Sequence, residues 1–348
     1  MTAMNTPRLI FHAGNCLNNK KPFARQCRLC VQYCPHDAIG GDYRIDRAKC
    51  TDCGACMSVC PSDGMLDSAQ RATGEYLLRA AAPVLHCPAA QPLGWEIPCI
   101  GVLDRDAWTV LLLRAESASV RVFTGDCARC DDRQACAVSV KALQNAAAGW
   151  EEPLQLKIEI RPDTGTPPDA AAAAQAAPPP PKEGRGFRAL RAAGRQKLKE
   201  LLPGAVAAET GAVPETRRWL LDFLAGEPER RTPFLGVRIG GECTDCCVCA
   251  KVCPQDALTI VQQEGKIRHI YESARCVQCR RCEEVCGPQT LKLEIVRLTH
   301  KYLTGKILLR EGVPRCCAQC GAPIFHKKEP GLCLACARKD PAMRGVLY

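Results

Sequence analysis

Hydrophobic and polar positions divide this chain into short elements separated by turn residues. Ala257-Leu-Thr-Ile-Val261 and Lys266-Ile-Arg-His-Ile270 read as the strands of a hairpin turned at Gly265. Tyr43-Arg-Ile-Asp46 plays the corresponding part after a turn at Gly40-Gly41. Between residues 83 and 160, strand and helix signals alternate. Val84-Leu85 and a stretch running to Cys99-Ile100-Gly101 read as strands, followed by a helix from Asp104 to Glu116. A strand from Ser119 to Phe123, a helix from Asp131 to Ala148 and a strand from Leu154 to Ile160 complete a small open α/β unit. Residues 162–185 are rich in proline and alanine and lack large apolar side chains, which predicts a flexible tether, extended around Pro178 to Pro181. Beyond it, Phe187, Leu190, Leu198, Leu201 and Leu202 share one face of a predicted helix, and Arg188, Arg191, Arg195 and Lys199 another. A second helix is expected from Pro214, carrying Trp219, Leu220, Phe223 and Leu224. A basic amphipathic helix could touch a membrane surface or an acidic partner, but a solvated basic face over an ordinary apolar stripe is the preferred reading.

Cysteine changes this picture. The chain has 27 cysteines in 348 residues and is much too long for a small disulfide scaffold. Cysteines two residues apart converge on one metal more easily than they bridge distant strands. Residues 243–254 read Cys243-x2-Cys246-x2-Cys249-x3-Cys253-Pro254, and residues 50–61 read Cys50-x2-Cys53-x2-Cys56-x3-Cys60-Pro61. Each block has a companion: Cys276-x2-Cys279-x2-Cys282-x3-Cys286 for the first, and Cys27-x2-Cys30-x3-Cys34-Pro35 for the second. A tight loop with three thiolates at that spacing can hold three corners of an iron–sulfur cube, and the fourth cysteine, beside a chain-turning proline, reaches a neighbouring cube. The implied chemistry is one-electron transfer.

Both modules, at 16–66 and 235–298, resemble bacterial-type two-[4Fe–4S] ferredoxins. That resemblance implies crosswise sharing of ligands. Cys243, Cys246, Cys249 and Cys286 would hold one cube, and Cys276, Cys279, Cys282 and Cys253 its neighbour. Gly287 separates Cys286 from Pro288, so a looser turn is expected there. In the first module Cys50, Cys53, Cys56 and Cys34 complete one set. The other has Cys27, Cys30 and Cys60, but Ala24 stands where the leading cysteine belongs. Either residues 17–26 are an insertion and Cys16 serves, which is preferred, or the site is a three-iron cluster with one corner open. Cys247 and Cys316, each next to a predicted ligand, are expected to be small buried hydrophobes.

Two further groups remain. Cys87, Cys99 and Cys127-x2-Cys130, with Cys136 nearby, fall just beyond the predicted carboxyl ends of strands, where α/β folds build sites. The arrangement resembles the two-iron domain of hydrogenase delta subunits, which implies a [2Fe–2S] cluster on Cys87, Cys99, Cys127 and Cys130. Redox-active thiols or a decayed site are the alternatives. At the C-terminus, Cys317-x2-Cys320 and Cys333-x2-Cys336 form two knuckles that can make a tetrahedral four-sulfur site. The block resembles a zinc ribbon, with Zn2+ favoured over a rubredoxin-like iron because Ala337 replaces the glycine expected after the second knuckle.

The formal charge of +10 invites a nucleic-acid reading, but four cubes at about −2 each cancel most of it. Nucleic-acid binding is not expected. Met1 to Asn15 has no apolar run and no twin arginine, and no stretch approaches a spanning helix, so a cytoplasmic location follows. No nucleophile elbow, phosphate-binding glycine loop or dinucleotide fingerprint occurs.

The expected fold class is α+β, with two ferredoxin-like dicluster modules flanking a small α/β domain and a tether, and a zinc ribbon at the C-terminus. The boundaries are 1–74 for the first module, 75–161 for the α/β domain, 162–185 for the tether and 186–232 for the basic helical segment. The second module takes 233–300, and the ribbon and tail take 301–348. The expected function is a polyferredoxin-type subunit that passes single electrons through four [4Fe–4S] clusters to or from a larger oxidoreductase of dehydrogenase or hydrogenase type. A maturation factor for a metalloenzyme, or a thiol or sulfur reductase using the middle cysteines, are the alternatives.

Overall fold

The computed structural model describes residues 9–21, 23–150, 158–162, 212–313, 315–321, 323–324 and 331–339. The expected tether beyond residue 162 and the basic helix at 187–202 lie outside the described residues. Helices and strands are mixed throughout, consistent with an α+β protein. No helix among the described residues is long and apolar enough to cross a membrane. The chain divides into two compact units. The first is 1–20, 27–209 and 215–223; the second is 21–26, 210–214 and 224–348.

In the first unit, strand Leu9–Phe11 pairs antiparallel with Met65–Asp67 and closes a cysteine-rich segment end to end. Short helices Leu29–Gln32 and Ala55–Ser58 lie between them. The hairpin expected at Tyr43–Asp46 shrinks to one bridge, Ile39 to Ile45. Tyr43 itself is left-handed (φ 64°), so the chain turns too tightly there for a ladder to extend.

The α/β part forms a four-stranded parallel sheet in the order Trp95–Glu96, Val84–His86, Val120–Thr124, Ile158–Pro162. The strand expected to run to Gly101 stops at Glu96, because Pro98 cannot donate to a ladder, and Ile100–Val102 is a 3-10 turn. Helix Arg105–Ser117 starts where Asp104 accepts a hydrogen bond from the Ala107 amide at 2.8 Å. It buries Trp108, Leu111, Leu112 and Leu113, and the Trp108 indole donates to Ser139 Oγ of helix Arg133–Ala147 at 2.9 Å. The expected helix after Pro214 spans Glu215–Leu224. Its Thr216 donates to Asp104 and its Arg217 pairs with Asp106, both at 2.6 Å.

The second unit repeats the end-to-end closure on a larger scale. Thr232–Ile239 pairs with Leu291–Leu298 over eight residues. Inside that frame, Leu258–Gln263 and Lys266–Tyr271 form the expected hairpin, turned at Glu264-Gly265 with both residues left-handed. A third strand, Ile307–Gly312, adds to Lys266–Tyr271. Helices Val248–Val252 and Arg281–Glu284 complete the module.

Close backbone approach joins the two parts of the first unit. A Cβ on Gly101 would sit 2.7 Å from the Ala135 Cβ and 3.2 Å from the Cys53 carbonyl oxygen. Glycine there lets the 3-10 turn slide between the Cys53 loop and the helix of Ala135. Gly101→Ala is expected to overpack this contact and lower the stability of the purified protein by roughly 1–3 kcal/mol, read by denaturant unfolding. An unchanged midpoint would contradict the packing.

Candidate metal centres

Three of the Cys-x2-Cys-x2-Cys loops share one backbone solution. The residue before the second cysteine is left-handed in each: Asp52 (φ 55°), Asp245 (φ 53°) and Gln278 (φ 57°). So is the residue after it: Gly54 (φ 76°), Cys247 (φ 61°) and Arg280 (φ 61°). Alternating left- and right-handed residues turn successive amides toward the concave side, a geometry suited to anionic sulfur. The fourth cysteines also share a turn, with a left-handed residue three positions on: Asp37, Asp63, Asp256 and Gln289. The amide of Ala38 points at Cys34 Sγ (3.3 Å), and that of Gly64 at Cys60 Sγ (3.1 Å). At Cys286 the donor is Leu291 at 3.4 Å, one residue later. With Gly287 in place of the proline the turn keeps its length, and only the amide that reaches sulfur differs.

In the second unit, two small cavities of about 20 Å³ each, partly open to solvent, are lined by cysteines from both halves of the module. One is bounded by Cys243, Cys246, Cys249 and Cys286, the other by Cys253, Cys276, Cys279 and Cys282. Burial, reinforced by neighbouring thiols, pushes Cys249 up to about 12 and Cys279 to about 11. Such thiols stay protonated at neutral pH unless a metal displaces the proton. His269, 1% exposed, lines the first cavity, and its Nδ1 has no hydrogen-bond partner among the described residues. Four converging thiols at one cavity fit a pocket that takes a sulfur-bound group. Cys247 is half-buried and lines the same cavity, its Sγ 3.2 Å from the Asp245 carbonyl oxygen. It faces that cavity and is only partly shielded from solvent.

The first unit gathers its thiols in two groups. Cys56 is raised by burial and then by Cys53, Cys34, Cys30 and Cys50, and Cys53 is pushed up to about 11 by burial, with Cys34 contributing. Cys30 is pushed up to about 12 by burial, then by Cys60, Cys27 and Cys16. Cys16 and Cys60 both flank Gly64, since a Cβ there would be 3.4 Å from Cys16 Cα and from Cys60 Sγ. Ser62 Oγ donates to the Asn15 carbonyl (2.8 Å), and Asn15 Nδ2 to that of Asp63 (3.2 Å), fixing Cys16 beside the Cys60 turn. Asn18 and Cys27 exchange two hydrogen bonds, 2.8 and 2.9 Å, across the base of the intervening loop.

Among the middle cysteines, Cys136 lies near both the pair at 127–130 and Cys99. Cys136 is pushed up to about 11 by burial and by Cys127, Cys130 and Cys87. Cys87 Sγ accepts from the Gly125 amide at 3.3 Å. Cys99 packs against the cluster of Cys53 and Ala135, and burial, followed by Cys53, Asp132 and Cys136, pushes it up to about 12. Asp132 bridges the same junction, 2.6 Å from His36 Nε2 and accepting from Thr51 Oγ1 at 2.8 Å. Cys136 was legible only as a neighbour of the pair at 127–130. Its position in the first turn of helix Arg133–Ala147 is what turns it toward them.

At the C-terminus, Sγ atoms of Cys317, Cys320, Cys333 and Cys336 all lie within 4.8 Å of one another. Cys320 and Cys333 are 3.7 Å apart, close to the ~3.8 Å edge of a sulfur tetrahedron built on ~2.3 Å zinc–sulfur bonds. Backbone hydrogen bonds, led by that from Cys333, hold Cys317 down at about 6, while hydrogen bonds with Cys320 and Cys333 push Cys336 up to about 12. Cys316, expected to be buried, is exposed.

Residues 43–64, which span Cys50, Cys53, Cys56 and Cys60, match the family model described as a 4Fe-4S binding domain. No curated protein matches the chain. That match covers a short part of the chain; with the cysteine groups above it supports iron–sulfur, ferredoxin-like electron transfer, and the four cysteines near the C-terminus could hold a metal ion.

Proposed function

We propose that the chain is a polyferredoxin-type subunit with four [4Fe–4S] clusters in two dicluster modules, passing single electrons to or from a larger oxidoreductase. The observation that carries this reading is the pair of cavities in the second unit, each lined by three cysteines of one loop and the distant cysteine of the other. The ligands would be Cys243, Cys246, Cys249 and Cys286 for one, and Cys276, Cys279, Cys282 and Cys253 for its neighbour. In the first unit Cys34, Cys50, Cys53 and Cys56 form one set, and Cys27, Cys30, Cys60 and Cys16 the other. A bound cube supplies one-electron chemistry with little change of shape. The chain's own residues supply thiolates, amide donors to sulfur and partial exclusion of water. The catalytic partner supplies the substrate chemistry.

The C-terminal four-sulfur site suits a structural Zn2+, whose closed tetrahedron does no redox work and leaves the ribbon as a docking surface. In the middle domain, Cys87, Cys127, Cys130 and Cys136 are the thiols that a [2Fe–2S] cluster would use, with Cys136 in the place first expected of Cys99.

Anaerobically purified protein is expected to contain about sixteen irons and one zinc per chain by metal analysis, and about two more irons if the middle thiols are loaded. A count near eight in intact protein would leave one module empty and end the four-cube reading.

Cys16→Ala is expected to convert the cube on Cys27, Cys30 and Cys60 to a three-iron form, seen as a new signal in the oxidised electron-spin spectrum. If the wild type already shows that signal under strict anaerobiosis and the variant changes nothing, Cys16 is a bystander.

A further inference from the structure

The sequence Cys-Thr-Asp-Cys occurs twice, at 50–53 and at 243–246, so each module carries an aspartate between two predicted ligands. The two aspartates share the left-handed backbone described above, and their carboxylates lie 3.7 and 3.8 Å from the Sγ of Cys50 and Cys243. Their surroundings differ. Asp52 is 34% exposed, with Arg47 3.7 Å away, so water screens both charges. Asp245 is 8% exposed and gripped from two strands: His269 Nε2 lies 3.0 Å away, and Arg310 reaches it through Nε at 3.1 Å and Nη2 at 3.4 Å.

Arg310 lies on strand Ile307–Gly312, downstream of the ferredoxin-like repeat. The pairing with Lys266–Tyr271 slips between Leu308 and Arg310, a bulge that sets Arg310 opposite His269 on the face turned to the ligand loop. Gly312 clears the remaining space, since a Cβ there would lie 2.8 Å from Asp245 Cγ. Burial of Asp245 opposes its ionisation, but Arg310 and His269 outweigh that and hold the carboxyl below its usual range. Arg310 also reaches Cys243, favouring negative charge on its sulfur, while Asp245 disfavours it.

We infer that Arg310 and Asp245 are positioning residues that set the reduction potential of the centre held through Cys243, pulling it in opposite directions. The inference rests on the reading of Cys243, Cys246, Cys249 and Cys286 as ligands of a cube. Reduction there adds one electron from a one-electron donor and breaks no bond. Arg310 then faces one more unit of negative charge beside Cys243, a gain that raises the potential. Asp245 opposes the same charge and lowers it. Partial burial keeps both effects from being screened away.

The test is a redox titration with dithionite, followed by electron-spin resonance, on the full-length protein and on Arg310→Gln, Asp245→Asn and Arg310→Lys, with iron per chain measured first. Arg310→Gln should move one centre to a more negative potential, and Asp245→Asn should move the same centre to a more positive one. Arg310→Lys should stay near the wild type, and the other centres should not move. A tie that only holds the fold together would shift both variants the same way, or neither, and either result overturns the inference. If Arg310→Gln loses iron, Arg310→Lys decides: full iron and a near-native potential support a charge effect, and iron loss there too overturns it. If wild-type protein itself lacks the iron of this pocket, the ligand reading fails instead, which the iron count separates from the rest.

Discussion

Buried sulfur is the constraint on which the structure turns. In the first module Cys56 packs with Leu9, Ile39, Met57 and Met65 in one apolar cluster, and Cys30, Cys34, Cys50 and Cys60 are partly buried against it. Burial holds Cys30 and Cys56 protonated at neutral pH. Like-charged neighbours would make their ionisation costlier still unless a metal took up the charge. Modules this short have little hydrocarbon to bury, so metal–thiolate bonds would replace much of an ordinary core. The left-handed residues of the loops each cost backbone energy, which metal–thiolate bonds would offset.

The first unit puts this device in contact with an α/β sheet. Cys53 touches Cys99, Asp132 is shared by His36 and Thr51, and the thiols of Cys136, Cys127, Cys130 and Cys87 continue into the α/β part. In the second unit, an added strand brings Arg310 onto the ligand loop beside His269 of the hairpin.

Much of this was legible in the sequence where a covalent spacing dictates geometry. The Cys-x2-Cys-x2-Cys runs fix their loops, and the hairpin at 258–271 follows from alternation on both sides of Gly265. Helix Arg105–Ser117 follows from its Asp104 cap and Leu-rich interior. Strand lengths were less legible. Tyr43 gave no sign of its left-handed backbone, and Pro98 ended a strand that apolar content alone would extend to Gly101. The grouping of Cys136 with Cys127 and the approach of Arg310 to Asp245 depend on helix phase and on a bulge. Neither leaves a mark at fixed spacing in the chain.

Cross-sharing of cysteines between the two halves of each module is the central claim, and iron-edge anomalous scattering from anaerobically grown crystals tests it most directly. The account predicts two iron sites in each module, one surrounded by Cys243, Cys246, Cys249 and Cys286 and its neighbour by Cys276, Cys279, Cys282 and Cys253, with the equivalent pair in the first module. Iron confined to the segment around residues 43–64, or a cube whose fourth ligand comes from its own loop, would contradict it.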